Sequence, residues 1–108
     1  MAITWIYGQS KSGKSTLARK IRTNEVVLDG DDMRSAINND LGFSKEDRWE
    51  NNLRIARLAK VIDKQGVDVI VATICPYRKL REEVRRICGC KFIYLEGGIK
   101  HPDYPFEV

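Results

Sequence analysis

Histidine occurs once in the 108 residues, at His101, and cysteine three times, at Cys75, Cys88 and Cys90. That scarcity argues against a metal centre built on thiolates and imidazoles. A zinc site needs about four nitrogen, sulfur or oxygen ligands, and Cys88-Gly89-Cys90 supplies two with His101 far off in sequence. So small and odd a number of thiols is no disulfide framework, and it fits reduced cysteines in a cytoplasmic protein. Long apolar runs are missing too, for none approaches the roughly 18 residues that suggest a membrane span. No basic segment followed by an apolar stretch opens the chain, so no secretory leader and no membrane partner are expected. Repeats, low-complexity tracts and linkers are absent, which leaves one domain over residues 1–108.

What is present is an ordinary globular composition, 43% hydrophobic and 31% charged. The net charge of +4 fits an anionic partner, and it fits equally a basic, well-solvated surface. Residues 3–7 (ITWIY) form a β-branched and aromatic run that ends at Gly8, the pattern of a buried strand. Helical spacing follows over residues 14–21, with Leu17, Ala18 and Ile21 on one side. A second strand is expected over residues 25–28 and a short helix over 32–39. Ser44 is placed to cap a longer helix that runs to Gly66, with Glu46 and Asp47 in its first turn. Strands over residues 67–73 and 91–95 flank a basic amphipathic helix over 78–87. Residues 96–108 read as irregular.

Strands that alternate with crossover helices make an α/β fold with a parallel sheet of about four strands, covered on both faces as a three-layer sandwich. Ligands of such sheets lie at the carboxyl ends of the strands. Here those ends are Gly8, the Asp29-Gly30-Asp31 stretch, and Thr73.

The first end carries GQSKSGKST, residues 8–16. A glycine, four residues, then Gly13-Lys14-Ser15 between a strand and a helix is the P-loop arrangement, so the fold expected is P-loop NTPase-like. Backbone amides over such a loop point at phosphate oxygens. Lys14 reaches the outer phosphates, and the Ser15 hydroxyl ligates Mg²⁺. The candidate ATP-binding set is Gly8, Ser10, Lys11, Ser12, Gly13, Lys14, Ser15 and Thr16. Lys11 is strained if its position needs a positive φ, and it adds a cation beside the phosphates.

The second end is expected to face the loop from the neighbouring strand. A kinase needs a group to take the proton of the attacking hydroxyl and carboxylates to order Mg²⁺. Asp29 and Asp31 can serve; the plain alternative is a turn, where Asp and Gly are common. Arg48 and Asn51 share a helix face, and arginine forks such as Arg34 and Arg48 match phosphate or sulfate oxygens. Arg54, Arg57, Arg81, Arg85 and Arg86 read as solvated surface. Phe43 reads equally as a base-stacking ring or a core plug.

Two stretches carry a family resemblance. LDGDDMRSAINNDLGFSKEDRWENN, residues 28–52, and ICPYRKLREEVRRI, residues 74–87, resemble the adenylylsulfate kinase (APS kinase) family, as does the loop. The likeness extends over about residues 2–95. It implies transfer of the γ-phosphoryl group of ATP to the 3′-hydroxyl of adenosine 5′-phosphosulfate, with Mg²⁺. By that resemblance Asp31 is the base, and Lys14 with Asp29 completes the catalytic set. Ser15 and Asp29 hold the metal. Arg34, Arg48 and Asn51 grip the phosphosulfate, Phe43 stacks on its adenine, and Ile74, Cys75 and Pro76 line the same pocket.

The chain departs from the family in three places. Cys75 stands where serine is usual, in a stretch resembling ISPY, and Lys11 replaces a loop glycine. Almost directly after residue 95, residues 97–108 read GGIKHPDYPFEV in place of an Arg/Lys-rich lid and a fifth strand. Tyr104 or Phe106 then stands in for the lid's aromatic residue. A second subunit covering the site, as in a homodimer, is one expectation; a relative that binds nucleotide without turnover is another. A third is a kinase of another hydroxyl, such as a nucleic-acid 5′ end, for which residues 78–86 are the basic feature. Glu82 and Glu83 offset that charge, so small-molecule substrates are favoured over nucleic acid.

Overall fold

The structure is a computed structural model describing residues 2–100 and 106–108. The elements are β1 (Ile3–Tyr7), α1 (Lys14–Ile21), β2 (Val26–Asp29), α2 (Gly30–Ser35), α3 (Lys45–Lys64), β3 (Val69–Thr73), α4 (Arg78–Cys88) and β4 (Lys91–Tyr94). The strands form one parallel sheet in the order β2-β3-β1-β4.

Alternation along each strand sorts side chains onto the two faces. Ile3, Trp5, Val69 and Val71 meet Ile55, Ala56 and Ala59 of α3 and Leu80 and Val84 of α4. Ile6, Ile70 and Ala72 meet Ala18 of α1 on the other face. The result is the three-layer α/β arrangement expected from the sequence. Each large apolar side chain taken fully out of water contributes about 1.5–3 kcal/mol. Trp5, Ile55, Leu80 and Val84 are all fully buried, so the α3–α4 face holds the larger share of the core.

The short helix differs from expectation at both ends. It begins at Gly30 because the Asp29 carboxylate caps it, accepting from the amides of Asp31 at 2.9 Å and Asp32 at 3.3 Å. It ends at Ser35 because the amides of Ala36 and Asn38 both turn back to the carbonyl of Met33. The longer helix is capped as expected, with Ser44 Oγ accepting from the Asp47 amide at 3.1 Å.

The strand order corrects one expectation. β3 lies between β1 and β2, so the Asp29 strand is not the neighbour of the loop's strand. Two arginines are also not free surface residues. Arg54 pairs with Asp40 at 2.7 Å and Glu50 at 2.9 Å. Arg81, only 7% exposed, donates to the carbonyls of Cys75 and Glu107 and lies over the Tyr7 ring at 4.4 Å.

Beyond β4 the chain returns to the site. Ile99 donates its amide to Ser10 O at 2.7 Å, and Glu107 donates its amide to Pro76 O at 2.8 Å. Tyr104 and His101 lie outside the described residues. No helix among the described residues is long and apolar enough to cross a membrane.

Candidate active site

The loop after β1 is held by its own contacts. The Ser12 amide donates to Gln9 O at 3.2 Å, and the Leu17 amide to Gly13 O at 2.8 Å. Lys14 Nζ donates to Gln9 O at 2.7 Å and lies 3.4 Å from Ser12 Oγ. Burial holds the Lys14 ammonium below its usual pKa, while Asp31 and Asp29 pull it back up. Lys11 takes φ 59° and Gly13 φ 94°. The lysine therefore does occupy the left-handed region, which costs a β-carbon energy. Gly8 is required for another reason: a Cβ there would run into the carbonyl oxygen of Leu95.

Asp29 closes the distance that β3 puts between the two strands. One carboxylate oxygen caps α2, and the other accepts from the Ser15 hydroxyl. Asp31, in the first turn of α2, has a 92% exposed side chain and pairs with Arg34 at 3.3 Å.

The acceptor-side candidates come together across α2 and α3. Arg48 donates through Nε to Phe43 O at 2.9 Å. The guanidinium of Arg34 lies 4.6 Å from the centre of the Phe43 ring, and that of Arg48 5.9 Å. Phe43 is 57% exposed and is therefore no core plug. It is an open aromatic face backed by cations. Burial lowers the pKa of Arg34, and its Nε is buried without a protein partner among the described residues.

One cavity of about 370 Å³ joins both sets. Ser10, Lys11, Gly13, Lys14, Ser15, Thr16, Asp29 and Asp31 line one part, and Arg34, Arg48, Asn51, Ile74, Cys75 and Pro76 the other. An adjoining cavity of about 520 Å³ carries Phe43 and Phe106 on its walls, with Ser10, Asp31, Arg34, Arg48, Ile74 and Pro76 common to both. Of the predicted residues, Gly8 and Ser12 line neither; they shape the loop. Cys75 is fully buried at φ 41°, and burial pushes its thiol up to about 12, so it stays protonated.

A family model described as adenylylsulphate kinase matches residues 1–100. The chain belongs to that family. It is 46% identical over 91 residues to an adenylyl-sulfate kinase of Myxococcus xanthus, a match covering 79% of this chain and 49% of that protein. A probable adenylyl-sulfate kinase of Bacillus subtilis is 45% identical over 93 residues, covering 80% of this chain and 47% of the relative. The chain thus spans about half the length of the curated relatives it matches. Among solved structures, the Mycobacterium tuberculosis APS kinase CysC in complex with AMPPNP and APS superposes with a TM-score of 0.72 at 35% identity. That match covers 86% of this chain and 60% of the other.

Phosphoryl transfer on a P-loop uses Mg²⁺, and the donor set here fits it. The Ser15 hydroxyl and an Asp29 carboxylate oxygen touch at the cavity wall, and both are hard oxygen donors of the kind Mg²⁺ takes. Mg²⁺ binds few protein groups and completes its shell with water and phosphate oxygens.

Sequence reading misses a buried polar chain behind this wall. The Trp5 indole donates to Thr73 Oγ1 at 2.9 Å, the Thr73 hydroxyl donates to Asn52 Oδ1 at 2.7 Å, and Asn52 Nδ2 donates to Arg48 O at 2.9 Å. Each of these groups is paired inside the protein, as buried polar groups must be. The signal for it is two adjacent asparagines, Asn51 and Asn52, one turn after Arg48 on the side of α3 that buries Ile55, Ala56 and Ala59.

Proposed function

We propose that the chain is an ATP-dependent phosphotransferase whose acceptor is the 3′-hydroxyl of adenosine 5′-phosphosulfate. The observation that carries this reading is the single cavity in which Lys14, Ser15 and Asp29 stand on one side and Arg34, Arg48 and Asn51 on the other. A phosphoryl donor and an anionic acceptor can meet only where both sets reach one space.

In this reading the loop amides and Lys14 hold the outer phosphates of ATP. Ser15 and Asp29 would hold Mg²⁺, which neutralises charge on the phosphate oxygens. Arg34 and Arg48 fix the acceptor's anionic groups, and the exposed Phe43 face takes its adenine. Asp31 accepts the hydroxyl proton as the acceptor oxygen bonds to the γ-phosphorus. The bond from that phosphorus to the β–γ bridging oxygen breaks, and ADP leaves. The test is incubation with MgATP and adenosine 5′-phosphosulfate. The 3′-phosphorylated product is expected, and its absence across pH and protein concentration overturns the reading.

A second reading, nucleotide binding without turnover, is favoured by the exposure of Asp31. A base this hydrated works in a high-dielectric setting, where charge interactions are weak. Calorimetric binding of either nucleotide with no product distinguishes it.

A further inference from the structure

Asn51 is 1% exposed and lines the smaller cavity. Its side-chain oxygen accepts from Asn38 Nδ2 at 2.9 Å, and its amide nitrogen has no partner among the described residues. The two ends of a carboxamide have nearly the same shape, so packing does not decide whether donor or acceptor faces the cavity. That choice is made outside the pocket. Arg54 Nη1 lies 3.4 Å from Asn38 Oδ1. A guanidinium only donates, so Asn38 turns its oxygen to Arg54 and its nitrogen to Asn51. Asn51 must answer with its oxygen, which leaves its NH₂ for the cavity. Arg54 is itself held by both oxygens of Asp40, at 2.7 and 3.0 Å, and by Glu50 at 2.9 Å.

We propose that Arg54 and Asn38 are positioning residues that fix Asn51 as a hydrogen-bond donor to the acceptor substrate. Neither lines the cavity. Their effect is to make Asn51 a third donor beside Arg34 and Arg48, so that this side of the cavity selects a multiply anionic acceptor. With the amide turned round, an oxygen would face the same anion and repel it. The inference rests on the phosphotransferase reading for its ligand but not for its geometry.

The test uses the full chain with Asn38→Asp and Arg54→Met. A carboxylate at position 38 only accepts, so Asn51 would turn its NH₂ outward from the cavity and its oxygen inward. Calorimetry of adenosine 5′-phosphosulfate should show an affinity loss of about tenfold or more for Asn38→Asp, as expected when a donor to a charged group becomes a repulsive acceptor. ATP affinity should stay within about twofold, a split that a general loss of structure does not give. Arg54→Met, at a partly exposed position, should cost the acceptor a roughly threefold loss, because Asn38 then turns freely. In ¹⁵N-labelled protein the Asn51 NH₂ signal should move when inorganic sulfate is added to the wild type, and stay still in Asn38→Asp. If Asn38→Asp fails to fold, Arg54→Met decides by the same readouts. Unchanged acceptor affinity in both folded variants overturns the proposal, as does a wild-type Asn51 signal indifferent to sulfate. No wild-type binding of adenosine 5′-phosphosulfate overturns the acceptor assignment instead, and the sulfate titration still judges the orientation of Asn51.

Discussion

The Ser15 hydroxyl donates to the carboxylate of Asp29, joining the loop after β1 to the end of β2 with β3 lying between their strands. The contact brings a carboxylate from two strands away to the wall of the cavity that Lys14 and Ser15 also line. It also gives Asp29 two tasks, since its other oxygen caps α2.

Those tasks separate by substitution. Asn at position 29 keeps a cap acceptor but loses the charge. Asp29→Asn should therefore melt close to the wild type, while ATP binding loses its dependence on Mg²⁺. Asp29→Ala should lose the same dependence and also about 1 kcal/mol of stability from the uncapped helix. Thermal melts and calorimetry with and without Mg²⁺ check both; Mg²⁺-dependent binding retained in Asp29→Asn contradicts the assignment.

Lys14 is a buried ammonium whose protein partners are a carbonyl and a hydroxyl. Lys14→Ala removes a desolvated charge, so the fold should survive. ATP affinity should fall roughly ten- to hundredfold, the worth of a charge-assisted hydrogen bond to phosphate. Equal ATP affinity in the variant would remove the loop from the site.

Lys11 sets backbone strain against charge. Its φ of 59° is left-handed, and Lys11→Gly relieves that strain. The melting temperature should therefore hold or rise slightly, against the usual penalty for added glycine. The lost cation should weaken ATP binding by about two- to threefold at low salt, and by less as salt screens it. A clear fall in melting temperature would show that the Lys11 side chain, not its backbone, supports the loop.

Cys75 predicts an alkaline weakness. Its thiol ionises at an ordinary value of 9.0 when unfolded but is pushed up to about 12 in the fold by burial, with Arg81 acting the other way. The folded state then holds a proton that the unfolded state releases. Stability is complete below about pH 9 and falls as pH rises toward about 12, by about 2 kcal/mol near pH ~10.5. Melting temperatures taken across that range should decline less steeply in Cys75→Ala. Parallel curves would assign the decline to other groups.

Much of this is legible in the sequence because local patterns and tertiary demands agree. The strand over Ile3–Tyr7 and the helix over Lys14–Ile21 bracket the loop so tightly that motif and context are one signal. Strand order is not legible. Which strand lies beside β1 depends on how α3 packs across the sheet, and periodicity does not report that. The length of α2 is hidden for a related reason: a metal-ligand reading of Asp29 overlooks its role as a cap, which moves the helix start. Arg54 and Arg81 look like surface charges one residue at a time. Their roles depend on Asp40 and Glu107, which turns and the returning tail bring to them and which spacing alone does not fix. Asn38 belongs with them, since a buried asparagine in a turn is invisible until its partner is placed.

The close approach at Gly8 has a counterpart at Gly98, where a Cβ would meet Ser10 O at 2.5 Å. The loop after β1 is therefore clasped from both flanks, by Leu95 just past β4 and by the bridge from Ser10 to Ile99. A clasped loop has little freedom left to surrender on binding. Slow solvent exchange of the Leu95 and Ile99 amides in the empty protein would be its signature, and widening the clasp at either glycine should slow nucleotide capture without touching a phosphate ligand.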